Sequence, residues 1–163
     1  MKPKAQEELI YLDMTLKMPF KWRTGEPMGE FFRELKANGK IYANQCPKCG
    51  RNFCPPVNVC TRDHSRCSEK DKWVAVGPRG TVLTFFISEQ SFLVPTTGEM
   101  LKVPFSVGIM LLDGAPVTLQ HNLEETDSEK IKPGMRVEAV FKPKEERKGN
   151  IFDIIHFLSL IHI

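Results

Sequence analysis

The chain has 163 residues, 41% of them apolar and 26% charged, with a formal net charge of +3. That composition is of a soluble globular protein long enough for one ordinary domain, and it excludes a disordered or fibrous chain. No apolar run approaches the roughly twenty residues that span a bilayer, and the charged start Met1-Lys2-Pro3-Lys4 is not followed by the apolar stretch of a secretory signal, so a cytoplasmic location away from the membrane is expected.

Residues 10–17 alternate, with Ile10, Leu12, Met14 and Leu16 on one side and Tyr11, Asp13, Thr15 and Lys17 on the other. A period of two predicts an extended arm with one buried face, which could cover a partner subunit; a frayed terminus is the competing reading. An irregular aromatic stretch around Trp22 leads to Pro27, which suits the first turn of a helix. Met28, Phe31, Phe32 and Leu35 then recur at helical spacing, and Gly39 stands where a left-handed cap would end the helix. Ile41-Tyr42-Ala43 is expected as a short strand.

All five cysteines fall between Cys46 and Cys67. Disulfides would leave one thiol over and would need an oxidising compartment. Cys46-Pro-Lys-Cys49-Gly50 followed by a second cysteine pair instead has the spacing of a tetrahedral structural zinc site. The expected ligands are Cys46, Cys49, Cys60 and Cys67, with His64 a rival for the fourth place. Cys54, set against Pro55 and Pro56, is expected to be a small buried apolar side chain. A closed shell of four protein ligands leaves no open position for water, so the ion would be structural.

Beyond Cys67, Trp73–Val76 is predicted as a short strand and 77–80 as a turn. Long strands are predicted at 81–88, 105–112, 116–123, 136–141 and 151–158, on β-branched and aromatic content and alternation. Between them lie a long connection at 89–104, a turn at Asp113-Gly114, a polar insertion through Lys132 and a charged, mobile loop at 142–150. Five strands would expose two edges unless they close, so an oligonucleotide/oligosaccharide-binding (OB) barrel is expected. The chain is thus expected to be mainly β. An arm and helix would occupy 1–40, a zinc ribbon 41–70 and a five-stranded barrel 71–163.

Taken together, these residues resemble the domain-of-unknown-function-35 family. The order that carries the resemblance is Trp22 and Gly25, Phe31-Phe32 with Leu35, Cys46 to Gly50, Pro55-Pro56, the second cysteine pair, Gly80 with Val82 and Phe85, and Pro133-Gly134-Met135 with Val137 and Phe141. It covers about residues 18–158 and departs from the family in the wide spacing of Cys60 and Cys67. The resemblance implies a rubredoxin-like zinc ribbon fused to an OB-fold. It also implies a non-catalytic partner of a thiolase-superfamily enzyme, or of an acyl-CoA hydratase or aldolase, in a hetero-oligomer that holds a CoA thioester. It carries over no catalytic residue. The four histidines, His64, His121, His156 and His162, stand in no nucleophile-and-carboxylate pattern, and no phosphate-binding glycine loop occurs.

CoA phosphates require cationic donors and an acyl chain an apolar trough, which Arg79 and Lys102, and Phe92 and Met100, respectively, would supply. The alternative is a single-stranded nucleic-acid module stacking bases on Phe85, Phe86 and Phe92. Residues 71–163 carry 10 Lys/Arg against 12 Asp/Glu, and an acidic barrel opposes backbone binding.

Overall fold

The computed structural model describes residues 21–67, 72–94, 98–114 and 117–160. The alternating arm at 10–17, and His162, lie outside them. Helix α1 spans Glu26–Asn38, with Pro27 in its first turn and Phe31 and Leu35 fully buried. Met28 and Phe32 pack at the rim of the same face. Gly39 ends the helix at φ 61° and returns its N–H to the Leu35 carbonyl. A Cβ at Gly39 would meet only the movable guanidinium end of Arg147, at 2.9 Å, so it is the positive φ that favours glycine there.

Strands β1 (Ile41–Gln45), β2 (Asn52–Phe53) and β3 (Trp73–Val76) form an antiparallel sheet in the order β2-β1-β3. The short strand at 73–76 is therefore an element of the cysteine-rich sheet, paired with β1 from Ile41↔Val76 to Asn44↔Trp73. Strands β4 (Arg79–Ser88), β5 (Phe105–Leu112), β6 (Thr118–Leu123), β7 (Arg136–Phe141) and β8 (Ile154–Ser159) close into a barrel in the order β4-β5-β6-β8-β7. Its single parallel junction, β6 with β8, passes through Leu123↔Phe157. This closure, order and parallel seam are those of an OB-fold. Side chains of Val82, Met110, Val137, Ile154 and Phe157 fill the inside. The same apolar cluster continues through Ile41, Ala43 and Val76 to Phe31 and Leu35, so helix, sheet and barrel share one core.

Four segments differ from expectation. The described parts of the connection, 89–94 and 98–104, prolong the β4–β5 hairpin: Leu93 bridges to Met100, the Leu101 N–H donates to the Phe92 carbonyl at 2.8 Å, and the Val94 N–H donates to the Glu99 carbonyl. The return strand begins at Thr118. The charged segment 142–150 is tied down. It contains a 3-10 turn at Lys144–Glu146, and Arg147 donates to the Lys142 carbonyl at 2.8 Å while lying over the Phe141 ring. Residues Ile151–Asp153, expected as the start of the last strand, form a second 3-10 turn capped reciprocally by Asn150 and Asp153. No helix among the described residues is long and apolar enough to cross a membrane.

Asp153 is the staple of this segment. It is fully buried and accepts the N–H groups of Lys148, Gly149 and Asn150 at 2.9, 2.7 and 3.3 Å. Burial alone would raise its pKa, but those three donors outweigh it and hold the carboxyl below its ordinary value. Because the folded-state pKa is depressed, the stabilisation is present above the unfolded value of about 3.9 and is lost as pH falls through the folded value. Asp153→Asn is expected to cost roughly 2 kcal/mol at neutral pH. Urea denaturation of both proteins should show that gap flat from pH 7 to 5 and narrowing below pH ~4.

Candidate metal centre

The turn after β1 is built to gather sulfur. Cys46 leaves the strand with its N–H on the Arg51 carbonyl (2.8 Å), and the Gly50 N–H returns to the Cys46 carbonyl at 3.0 Å. Gly50 has φ 68°, the left-handed conformation that lets the chain leave so tight a loop. The Cys49 N–H faces the Cys46 sulfur at 3.4 Å, as N–H groups do in metal-thiolate knuckles. A second turn begins at Cys60, where the Arg62 N–H faces the Cys60 sulfur at 3.4 Å. Cys46, Cys60 and Cys67 are buried together with Cys49, Phe53 and Val57 around them.

Among the described residues, one ligand atom from each of Cys46, Cys49, Cys60 and Asp63 lies within 4.8 Å of all the others. Cys49 Sγ and Cys60 Sγ are 3.7 Å apart. A tetrahedral ion held by thiolates at about 2.3 Å has sulfur–sulfur edges of about 3.8 Å, so the donors fit a metal of that size and geometry. The five cysteines are free thiols, not disulfides.

Two members of the group, Cys46 and Asp63, sit where their anionic forms are favoured. Burial alone would raise the Cys46 thiol, but N–H groups of Cys49 and Lys48 and the Ser65 hydroxyl bring it down to about 7. The Ser65 hydroxyl and N–H hold the Asp63 carboxyl well below the usual carboxylate range. Cys49 and Cys67 are both pushed up to about 11. At Cys49 the Arg51 N–H lowers it, but burial and the neighbouring Cys46, Cys60 and Asp63 outweigh that. At Cys67 burial and then the Cys46 charge raise it. The Cys67 sulfur lies 3.7 Å from the Ser65 carbonyl. His64 is exposed and outside the four-residue group. Cys54 packs into the main core, as expected, and burial raises its thiol to about 12.

Asp63 was not singled out in the sequence. The signal was present, since Cys60-x2-Asp63 repeats the interval of Cys46-x2-Cys49, but a count of cysteines passes over a carboxylate.

The four residues proposed for CoA do not converge. Phe92, Met100 and Lys102 lie together on the extended β4–β5 hairpin, with Phe92 51% and Met100 60% exposed. Arg79 opens the ten-residue β4 at its other end, where its Nε donates to Glu138 at 3.0 Å. At about 3.3 Å per residue, that is on the order of 30 Å away. An open cleft of about 480 Å³ adjoins the hairpin base, lined by Ser88, Gln90, Pro104 and Thr126 among others. His121 is buried against Phe157, with Nε2 3.3 Å from the Ile151 carbonyl, and burial lowers its pKa. His156 faces the Glu124 carboxylate at 3.8 Å.

Residues 73–142 match the family model described as the ChsH2 C-terminal OB-fold domain. The chain is similar to the solved structure of the Ltp2–ChsH2(DUF35) aldolase, at 17% identity and a TM-score of 0.57, over 85% of this chain and 97% of that one. It is also similar to a DUF35-family protein of unknown function from Sulfolobus solfataricus, at 24% identity and a TM-score of 0.50, over 70% of this chain and 78% of that one. No curated protein matches the chain. These findings support the resemblance to the domain-of-unknown-function-35 family, and at such identities the two structures speak to the fold.

The purified chain is expected to retain about one equivalent of a divalent metal. Cys49→Ser should lose most of it, whereas Cys54→Ala should keep it. Elemental analysis of the two variants, with thermal melts before and after chelation, checks this.

Proposed function

We propose that the chain is a non-catalytic accessory subunit of a thiolase-type acyl-CoA-processing complex. In this reading the cysteine-rich unit holds a structural zinc ion, the ribbon and helix dock on the catalytic subunit, and the barrel helps to line the path of a CoA thioester. The observation that carries it is the likeness, over 97% of that protein's chain, to the Ltp2–ChsH2(DUF35) aldolase, whose name joins two components. The division of labour follows from chemistry. Thiolase-type catalysis requires a reactive cysteine beside a base. Here Cys46, Cys49 and Cys60 stand in the group that could hold a metal, and Cys54 and Cys67 are buried thiols with raised pKa values.

Phe92, Leu93, Met100 and Val103 form an exposed apolar ridge where the hairpin leaves the barrel. A ridge of that kind marks a contact surface, and Lys102 within it adds a cation for phosphate. Arg79, at the far end of β4 and paired with Glu138, has no part in that contact.

Co-expression with a thiolase-superfamily subunit tests the reading. The chain alone is expected to turn over no acyl-CoA, to co-purify with the partner and to raise its activity. Turnover by the isolated chain, or full partner activity without it, would overturn the proposal. Phe92→Asp combined with Met100→Asp should weaken the complex at least about tenfold, which is ~1.4 kcal/mol, with an unchanged melting temperature. Sedimentation or interferometry at fixed salt measures the affinity.

A further inference from the structure

The two turns that carry the cysteines are copies of one another in backbone, and the copy identifies a ligand that cysteine counting misses. In the first turn the Cys46 N–H donates to the residue five positions on, Arg51, at 2.8 Å; in the second the Cys60 N–H donates to Ser65 at 2.9 Å. The returning bonds, Gly50 N–H to Cys46 and His64 N–H to Cys60, are both 3.0 Å. Gly50 has φ 68° and His64 has φ 58°, the single positive φ at a non-glycine among the described residues. A histidine in that conformation is strained by about 1 kcal/mol or more, yet it holds the place that Gly50 fills without cost. On this correspondence Cys60 matches Cys46, and Asp63 matches Cys49.

We propose that the ribbon binds its metal through Cys46, Cys49, Cys60 and Asp63, leaving Cys67 a buried free thiol beside the site. The inference rests on the metal-binding reading above and refines it. Asp63 Oδ2 is 3.4 Å from Cys46 Sγ. A mixed edge of a tetrahedron with one bond of about 2.3 Å to sulfur and one of about 2.0–2.2 Å to oxygen is about 3.6 Å long. The other carboxylate oxygen, Oδ1, accepts the Ser65 N–H at 2.9 Å and the Ser65 hydroxyl. That outer contact fixes the carboxylate and turns Oδ2 to the sulfurs, as supporting hydrogen bonds do for metal ligands generally. Cys67 lies four residues past Asp63. Its N–H is engaged by the Asn58 carbonyl at 2.9 Å and its carbonyl by Asn44 at 2.6 Å. Its sulfur is not among the four donor groups within 4.8 Å of one another.

Cobalt(II) loaded into the full-length apo chain reports ligand type, because coordinated thiolates give near-ultraviolet charge-transfer absorption that scales with their number. Wild type and Cys67→Ser are expected to match. Asp63→Cys should gain about one third, on going from three thiolates to four. X-ray absorption of the zinc form should show three sulfurs at about 2.3 Å and one oxygen at about 2.0–2.2 Å. Asp63→Ala should lose metal to a competing chelator at least about tenfold more readily than wild type.

A drop of about one quarter in Cys67→Ser, with no gain in Asp63→Cys, would make Cys67 the fourth of four thiolate ligands and overturn the assignment. A four-sulfur zinc shell would overturn it while leaving the metal reading intact. Failure of the wild-type chain to bind either ion would overturn both.

Discussion

The side chain of Asn44 is the contact on which the ribbon depends. It is fully buried at the end of β1 and satisfied on both sides: its amide donates to the Val57 carbonyl at 2.7 Å and the Cys67 carbonyl at 2.6 Å, and its oxygen accepts the Val57 N–H at 3.1 Å. The chain from Cys54 to Cys67 contains no strand, only the isolated bridge Val59↔Arg66. Its backbone groups must still find partners once buried. Asn44 supplies three of them from a strand whose inner face, Ile41 and Ala43, already belongs to the common core. The irregular segment is thus held near both ends by one polar anchor, at Val57 and at Cys67.

From that anchor the molecule divides by chemistry more than by chain position. Apolar side chains from the helix, the three-stranded sheet and the barrel merge into one core, and the barrel interior is occupied by side chains. Cys46, Cys49, Cys60 and Asp63, for their part, could hold a metal ion, and four protein donors around one ion would leave no position open for water.

Much of this was legible in the sequence, for physical reasons that differ from element to element. Pro27, Phe31, Leu35 and Gly39 mark helix start, buried face and stop by local rules that tertiary structure did not override. The barrel strands showed because one face is buried and the other wet, so alternation survives along β6 and β7. Ile151-Phe152-Asp153 misled because an apolar run carries no period. Only the Asn150–Asp153 capping pair separates a 3-10 turn from a strand there. The pairing of β3 with β1 was illegible because four residues carry no register information about a partner nearly thirty positions away. Asp63 was hidden by residue type, although its spacing was in plain view.

The placement of β3 has a consequence for how such a molecule can be taken apart or recombined. The strand lies just ahead of the barrel in the chain, yet its neighbour is β1, and Val76 at its end is packed into the common core. A transplant of the barrel that carried β3 along would bring an unmated edge, ready to recruit a foreign strand. A transplant of the ribbon that ended at the last cysteine would strip β1 of its longest pairing. Evolution or a designer wishing to exchange one module for another must therefore cut after Val76, inside the tight bend at Gly77-Pro78, where the Gly77 N–H already grips the Asp113 carbonyl of the β5–β6 turn.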